Sequence, residues 1–168
     1  MKKFRVILIS LFVLFSVIMI FSMLIPADTR VSRAINIRGN RDSLKYTLLD
    51  LKQWPKWHPN LKTGNDSNPV TYSSAGERPW LKYNGFTMHV SAATDSTINV
   101  DMTNREGKQL HSIVQLVNLN RDTCVVNWYA SFHSGWYPWE KFRSMFYDQL
   151  YGPSLDSNLV KFRHYTER

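Results

Sequence analysis

Residues 123–164 read TCVVNWYASFHSGWYPWEKFRSMFYDQLYGPSLDSNLVKFRH, and a change of periodicity inside this stretch decides the fold. From Thr123 to Phe132 apolar residues alternate, with Val126, Trp128 and Ala130 on one side, the period of two that a half-buried strand requires. Past Tyr137-Pro138 the period lengthens. Trp139, Phe142, Phe146, Leu150, Leu159 and Phe162 recur at near-helical spacing, and Pro138 fits a first helical turn. One long helix is expected after the last strand. A bend is expected at Gly152-Pro153, because proline removes a backbone donor and crowds the preceding turn.

Upstream, short apolar runs separated by turn signals predict strands over Val70–Ser73, Trp80–Tyr83, Phe86–Ala93, Thr97–Thr103 and Lys108–Asn118. Asn84-Gly85 is a type I′ hairpin signal, since both positions tolerate positive φ. In the fourth run Ile98, Val100 and Met102 oppose Asn99, Asp101 and Thr103, so one face is apolar and the other polar. Closely spaced strands of this kind form an antiparallel meander. Before them lies WPKWHPNLKTGNDSN, residues 54–68, whose prolines, glycine and Asx residues predict a loop without regular structure. Earlier still, Leu44, Thr47, Leu48 and Leu51 mark a short amphipathic helix ending near Asp50, with Asp42 or Ser43 as its N-cap. Val31, Arg33, Ile35 and Ile37 share one face of a strand over Thr29–Ile37 that Gly39 and Asn40 end.

The first residues belong to a different solvent. Val6–Ile25, VILISLFVLFSVIMIFSMLI, is uncharged over twenty residues, about the length that crosses a 30 Å hydrocarbon core as a helix. Signal peptides carry a shorter apolar stretch and small residues at the cleavage point. Met23, Leu24, Ile25, Pro26 and Ala27 supply no good small-x-small site, so residues 1–27 are expected to remain as a single-pass anchor and residues 28–168 to form one domain. Lys2, Lys3 and Arg5 crowd the N-terminal side and place it in the cytoplasm, with the domain outside it; Arg30 and Arg33 oppose that assignment.

A strand, a short helix, a run of antiparallel strands and a long terminal helix make an α+β design in which a curved sheet wraps the last helix. The opening VSRAINIRGNRDSLKYTLLDLKQWPKWHP and the end VVNWYASFHSGWYPWEKFRSMFYDQLYGPSLDSNLVKFRH resemble the corresponding ends of the START-related superfamily often called SRPBCC, which includes polyketide cyclases and lipid-transfer proteins. The resemblance covers about residues 29–164. It implies a helix-grip fold with a deep apolar cavity between sheet and long helix. The segment around Ser73 to Pro79 departs from the family, whose members often carry a more open glycine-containing strand there.

Composition narrows the functional classes. Hydrophobic residues make up 43% and aromatics 14%, enough for a packed core. The net charge of +8 falls to +5 once Lys2, Lys3 and Arg5 are set aside, and the basic residues are scattered, which argues against nucleic acid as a partner. The single cysteine, Cys124, rules out an internal disulfide and is read as packing. His58, His89, His111, His133 and His164 show no i, i+4 metal spacing, and G-x-S-x-G, P-loop and dinucleotide patterns are missing. His89, His111 and Asp101 fall on polar strand faces and are expected to be solvated. Glu140 suits the first turn of a helix through the dipole alone. Neither cofactor nor metal is expected.

What remains is the supply of aromatic and aliphatic side chains, the material of an apolar pocket. The expected lining is Trp80, Val100, Met102, Trp128 and Ala130 on the strands, facing Phe142, Phe146 and Leu150 on the long helix. The function expected is non-catalytic binding of a hydrophobic small molecule or lipid at a membrane. The alternatives are a polyketide cyclase or dehydrase-like enzyme and a structural or regulatory domain whose grip is filled by its own side chains.

Overall fold

The computed structural model of the chain describes residues 2–61, 70–73, 79–105, 107 and 109–168. The parts of the expected 54–68 loop beyond Leu61, of the turn after Ser73, and the expected strand start at 108 lie outside these residues. Helix α1, Lys2–Leu24, is long and apolar enough to cross a membrane, and nearly all of its side chains are exposed. Strand β1, Asp28–Arg38, follows after three residues. Val31 and Ile37 on its inner face are buried, as the alternation requires.

Helix α2, Arg41–Leu49, buries Leu44 and Leu48. Its cap is Asn40 rather than Asp42 or Ser43: the Asn40 side-chain oxygen accepts the Asp42 backbone N–H at 3.0 Å. The following segment is not an irregular loop. Trp54–Trp57 forms the one-turn helix α3 with Pro55 in its first turn, and Pro59–Leu61 adds a 3-10 turn. Burial overrides the breaker signal here, because Trp54, Trp57 and Leu61 are each at most 2% exposed.

The strands are β2 Thr71–Ser73, β3 Trp80–Tyr83, β4 Phe86–Ala93, β5 Thr97–Thr103, β6 Gln109–Asn120 and β7 Thr123–His133. With β1 they make one seven-stranded antiparallel sheet in the order β1-β7-β6-β5-β4-β3-β2. The β3–β4 turn uses positive φ at Asn84 and Gly85, as the sequence demands. Register places Met88, Met102 and Leu110 side by side, then Val100, Ser112 and Ala130, then Ile98, Val114 and Trp128, all on the inner face.

The C-terminal helix is two helices. After α4, Pro138–Ser144, the hydrogen-bond ladder tightens: the Met145 N–H reaches Phe142 O at 3.3 Å and the Phe146 N–H reaches Arg143 O at 3.1 Å. Then α5 runs from Tyr147 to Thr166 with Pro153 inside it, so the break falls at Met145-Phe146 and not at Gly152-Pro153. Gly152 has another task. A Cβ there would collide with Arg33 Nη2, so glycine lets the Arg33 side chain cross the helix. Arg33 binds Asp148 at 2.8 and 3.1 Å and Asp156 at 3.1 Å, one turn to either side. These carboxylates raise the guanidinium pKa still further above its ordinary value, and α5 is thereby tied across β1.

Candidate ligand-binding cleft

The sheet curls over α5, and the two halves of the helix meet it differently. In the C-terminal half, Leu155, Leu159 and Phe162 press on a cluster of Trp54, Trp57 and Trp128, with Trp57 and Phe162 centroids 4.9 Å apart. This half is filled. Trp128 donates its indole N–H to Ser112 Oγ at 2.6 Å, and Trp54 donates to the Leu48 carbonyl at 2.9 Å. His58 is 3% exposed, stacks on Trp54 at 5.8 Å, and has no hydrogen-bond partner at Nδ1. Burial, aided by the charge of Lys161, lowers its pKa from 6.5 to about 4, so it is neutral at pH 7.

The other half is open. A cleft of about 480 Å³ lies between the N-terminal turns of α5 and the Asp28–His133 end of the sheet. Its apolar lining is Phe86, Met102, Leu110 and Phe132 from the inner face, with Tyr147 and Tyr151 from α5. Phe132 touches both tyrosines, with centroids at 4.8 and 4.5 Å. Asn104, Gln109, His133 and Arg143 supply polar groups at its margin. Pockets of such a lining hold apolar molecules, a few polar groups setting their orientation.

Beside it, a second gap of about 430 Å³ separates the end of α1 from residues 133–136, lined by Met19, Ser22, Met23, Trp136 and Lys141 among others. His133 borders both. Its Nδ1 lies 2.7 Å from Asp28 Oδ1. The cleft mouth is therefore at the end of the domain that joins α1.

The side chains singled out from sequence divide into three groups. Met102 lines the cleft, and Val100, Ala130 and Trp128 lie on the next two rungs of the same inner face, at most 3% exposed. Trp80 is elsewhere: it pairs with His89 on the outer face and is 38% exposed. Phe142, Phe146 and Leu150 do not oppose the sheet either, being 37%, 55% and 57% exposed. The break at Met145-Phe146 turns their stripe outward, and α5 meets the sheet through Tyr147, Tyr151, Leu155 and Phe162 instead. Phe86, Leu110, Phe132, Tyr147 and Tyr151 were missed. The signal was present, since Leu110 and Phe132 share the strand parity of Met102 and Ala130, and Tyr147, Tyr151 and Leu155 follow at i, i+4 and i+8.

On the outer face His89 and His111 stand where alternation puts them, but Asp101 is not simply solvated. It lies 2.7 Å from His111 Nδ1 and 3.6 Å from His89 Nε2. Burial pushes its pKa up, yet hydrogen bonds from His111 and Ser91 and the nearby imidazoles bring it below the usual carboxylate range. Glu140 likewise has a specific partner, accepting the Gly135 N–H at 2.7 Å. Cys124 is buried on the inner face, and burial raises its thiol pKa. Among the described residues no three His, Cys, Asp or Glu side chains gather as a metal site.

No protein-family model matches the chain, and no curated protein does. Solved structures do. The Zhui aromatase/cyclase from a Streptomyces species superposes with a TM-score of 0.61 at 11% identity, over 84% of this chain and 94% of its own. Norcoclaurine synthase from Thalictrum flavum, solved with dopamine and hydroxybenzaldehyde, gives 0.58 at 11% identity, over 83% and 86%. The chain has the helix-grip fold of these structures. An uncharacterised protein from Bacillus thuringiensis shares it, with a TM-score of 0.55 at 14% identity, over 83% of this chain and all of its own. In this helix grip the deep cavity implied by the family resemblance is occupied at one end by the tryptophan cluster, and the free volume is displaced to the end beside α1.

Proposed function

We propose that the protein is a membrane-anchored binder of a lipid or other hydrophobic small molecule, which it holds in the cleft between β4–β7 and α5 without reacting it. Residues 1–27 anchor the chain and residues 28–168 form the binding domain. The basic N-terminus stays in the cytoplasm and the domain lies on the far side. One observation carries the reading: the open, mainly apolar end of the grip is the end beside α1. An apolar molecule leaving the bilayer along α1 reaches the cleft by the shortest route, and the cleft spares its apolar surface the exposure to water that would cost about 25 cal/mol per Å². Among the described residues the cleft lining holds no carboxylate, and its titratable groups are His133, Arg143, Tyr147 and Tyr151.

The test is extraction of the full chain in mild detergent followed by mass spectrometry of co-purifying small molecules. Met102→Lys and Phe132→Lys place an unpaired charge in the cleft and should strip the ligand, whereas His89→Ala on the outer face should retain it. Equal ligand content in all three would refute the site. A cyclase-like enzyme is the second reading, favoured by the His133–Asp28 pair at the cleft mouth. Turnover lost in His133→Ala with ligand still bound would establish that reading in place of passive binding.

A further inference from the structure

Phe142, Phe146 and Leu150, which the sequence assigns to the grip, are left uncovered by the fold, and so is Trp139 on the same helical stripe. Trp139 is 63% exposed, as is Met145, and Trp136 is 67% exposed. Trp136 tilts against Tyr137 at 4.6 Å and Tyr137 stacks on Trp139 at 4.7 Å, an aromatic run on and before α4. Contiguous apolar surface of this kind marks an interaction site. We infer that this face lies in the headgroup–acyl boundary of the bilayer crossed by α1, and seats the domain on the membrane in a fixed orientation. The inference rests on the reading of α1 as a membrane span.

Three observations choose a bilayer as the occupant. First, α4 packs on the last turns of α1, and the gap between them is lined by Met19, Ser22 and Met23. Ser22 and Met19 stand three and six residues before the end of the apolar run at Ile25, or about 5 and 9 Å along a helix axis. That is the depth at which amphipathic helices lie in a membrane surface, about 5–10 Å. Second, the junction is tied. Lys141 Nζ donates to the Ile25 carbonyl at 2.9 Å, and the Ser134 N–H donates to the Ala27 carbonyl at 2.8 Å. With β1 starting at Asp28, the domain cannot swing the aromatic face away from the membrane. Third, the chemistry is that of an interface: tryptophan and tyrosine with apolar neighbours, on a helix whose last turn carries the basic residues Lys141 and Arg143. The same seating directs the cleft mouth at His133 toward the bilayer.

Site-directed spin labelling of the full chain in lipid nanodiscs tests this. In a Cys124→Ala background, single nitroxides are introduced through Trp139→Cys, Met145→Cys and Phe146→Cys, with Val13→Cys as the mid-span reference and Asn118→Cys as the reference at the far end of the sheet. Collision with oxygen is compared with collision with a water-soluble nickel chelate. The expected result is an excess of oxygen over nickel at Val13, a smaller excess at positions 139, 145 and 146, and the reverse at position 118. Oxygen excess at Val13 with a water-like profile at positions 139, 145 and 146 would overturn the seating and leave the anchor intact. Shielding of those positions from both reagents would also overturn it, assigning the face to a protein partner or a second copy. A water-like profile at Val13 would overturn anchor and seating together.

Discussion

His58 gives the fold a calculable acid sensitivity. Its imidazole is enclosed by Trp54, Trp57 and Trp128, with centroids 5.8, 5.5 and 6.5 Å away, and its pKa falls from 6.5 to about 4. In the unfolded chain the group protonates near its ordinary value, so between pH 6.5 and 4 the unfolded state binds more protons and stability falls as pH falls. Stability is full above pH 6.5 and is lost progressively down to about pH 4. Each pKa unit is worth about 1.4 kcal/mol, so relative to pH 7 the loss from this one residue is about 2 kcal/mol at pH 5 and about 3 kcal/mol at pH 4. Carboxylates titrate in the same window, and the variant His58→Phe, which keeps a ring against Trp54 without a proton site, separates them. Urea unfolding of both full-length proteins in detergent at pH 7, 5 and 4 gives the comparison. The wild type should lose about 3 kcal/mol more than the variant from pH 7 to 4. Parallel losses would refute the assignment of a buried neutral imidazole.

Further predictions concern the tether, the core and the hairpin. Gly152→Ala should displace the Arg33 guanidinium and lower the melting temperature, and Asp148→Asn should then add little in that background though it destabilises the wild type; additive effects in a double-mutant cycle would deny the crossing. Trp128→Phe removes the donor to the buried Ser112 hydroxyl and should cost about 1–3 kcal/mol by denaturant unfolding, part of it recovered by Ser112→Ala. Gly85→Ala forces a Cβ into a φ of +78° and against Arg105, and should cost about 1–3 kcal/mol by the same assay; a neutral result would contradict the turn.

How much of this was legible in the sequence depended on what burial leaves in the pattern. Strands β4 and β5 were readable to the residue because one face is buried and the other is not, so alternation records both extent and side; β3 was readable in extent alone. The same alternation placed Val100, Met102, Trp128 and Ala130 on the inner face. Helical periodicity carries less. It marks an apolar stripe without saying what covers it, and this chain has two stripes: Trp139, Phe142, Phe146 and Leu150 outward, and Tyr147, Tyr151, Leu155 and Phe162 inward. The break that separates them, at Met145-Phe146, contains neither glycine nor proline, so no local signal announced it. Gly152-Pro153 announced a bend, and the helix runs on through it, the glycine serving the passage of Arg33. Trp80 was misplaced because a four-residue strand holds too little alternation to fix its side. The pairing of Asp101 with His89 and His111 arises between neighbouring strands, and its register follows from turn geometry that the sequence does not spell out.

The most direct test of the central claim is photo-cross-linking in membranes. Cells expressing the full chain are fed a fatty acid carrying a mid-chain diazirine, the membranes are irradiated, and adducts are mapped by peptide mass spectrometry. A cleft that takes up membrane lipid predicts adducts on the lining residues Met102, Leu110, Phe132 or Tyr151 in addition to α1. Adducts confined to α1 and the α4 face, with the cleft residues unmodified, would contradict it.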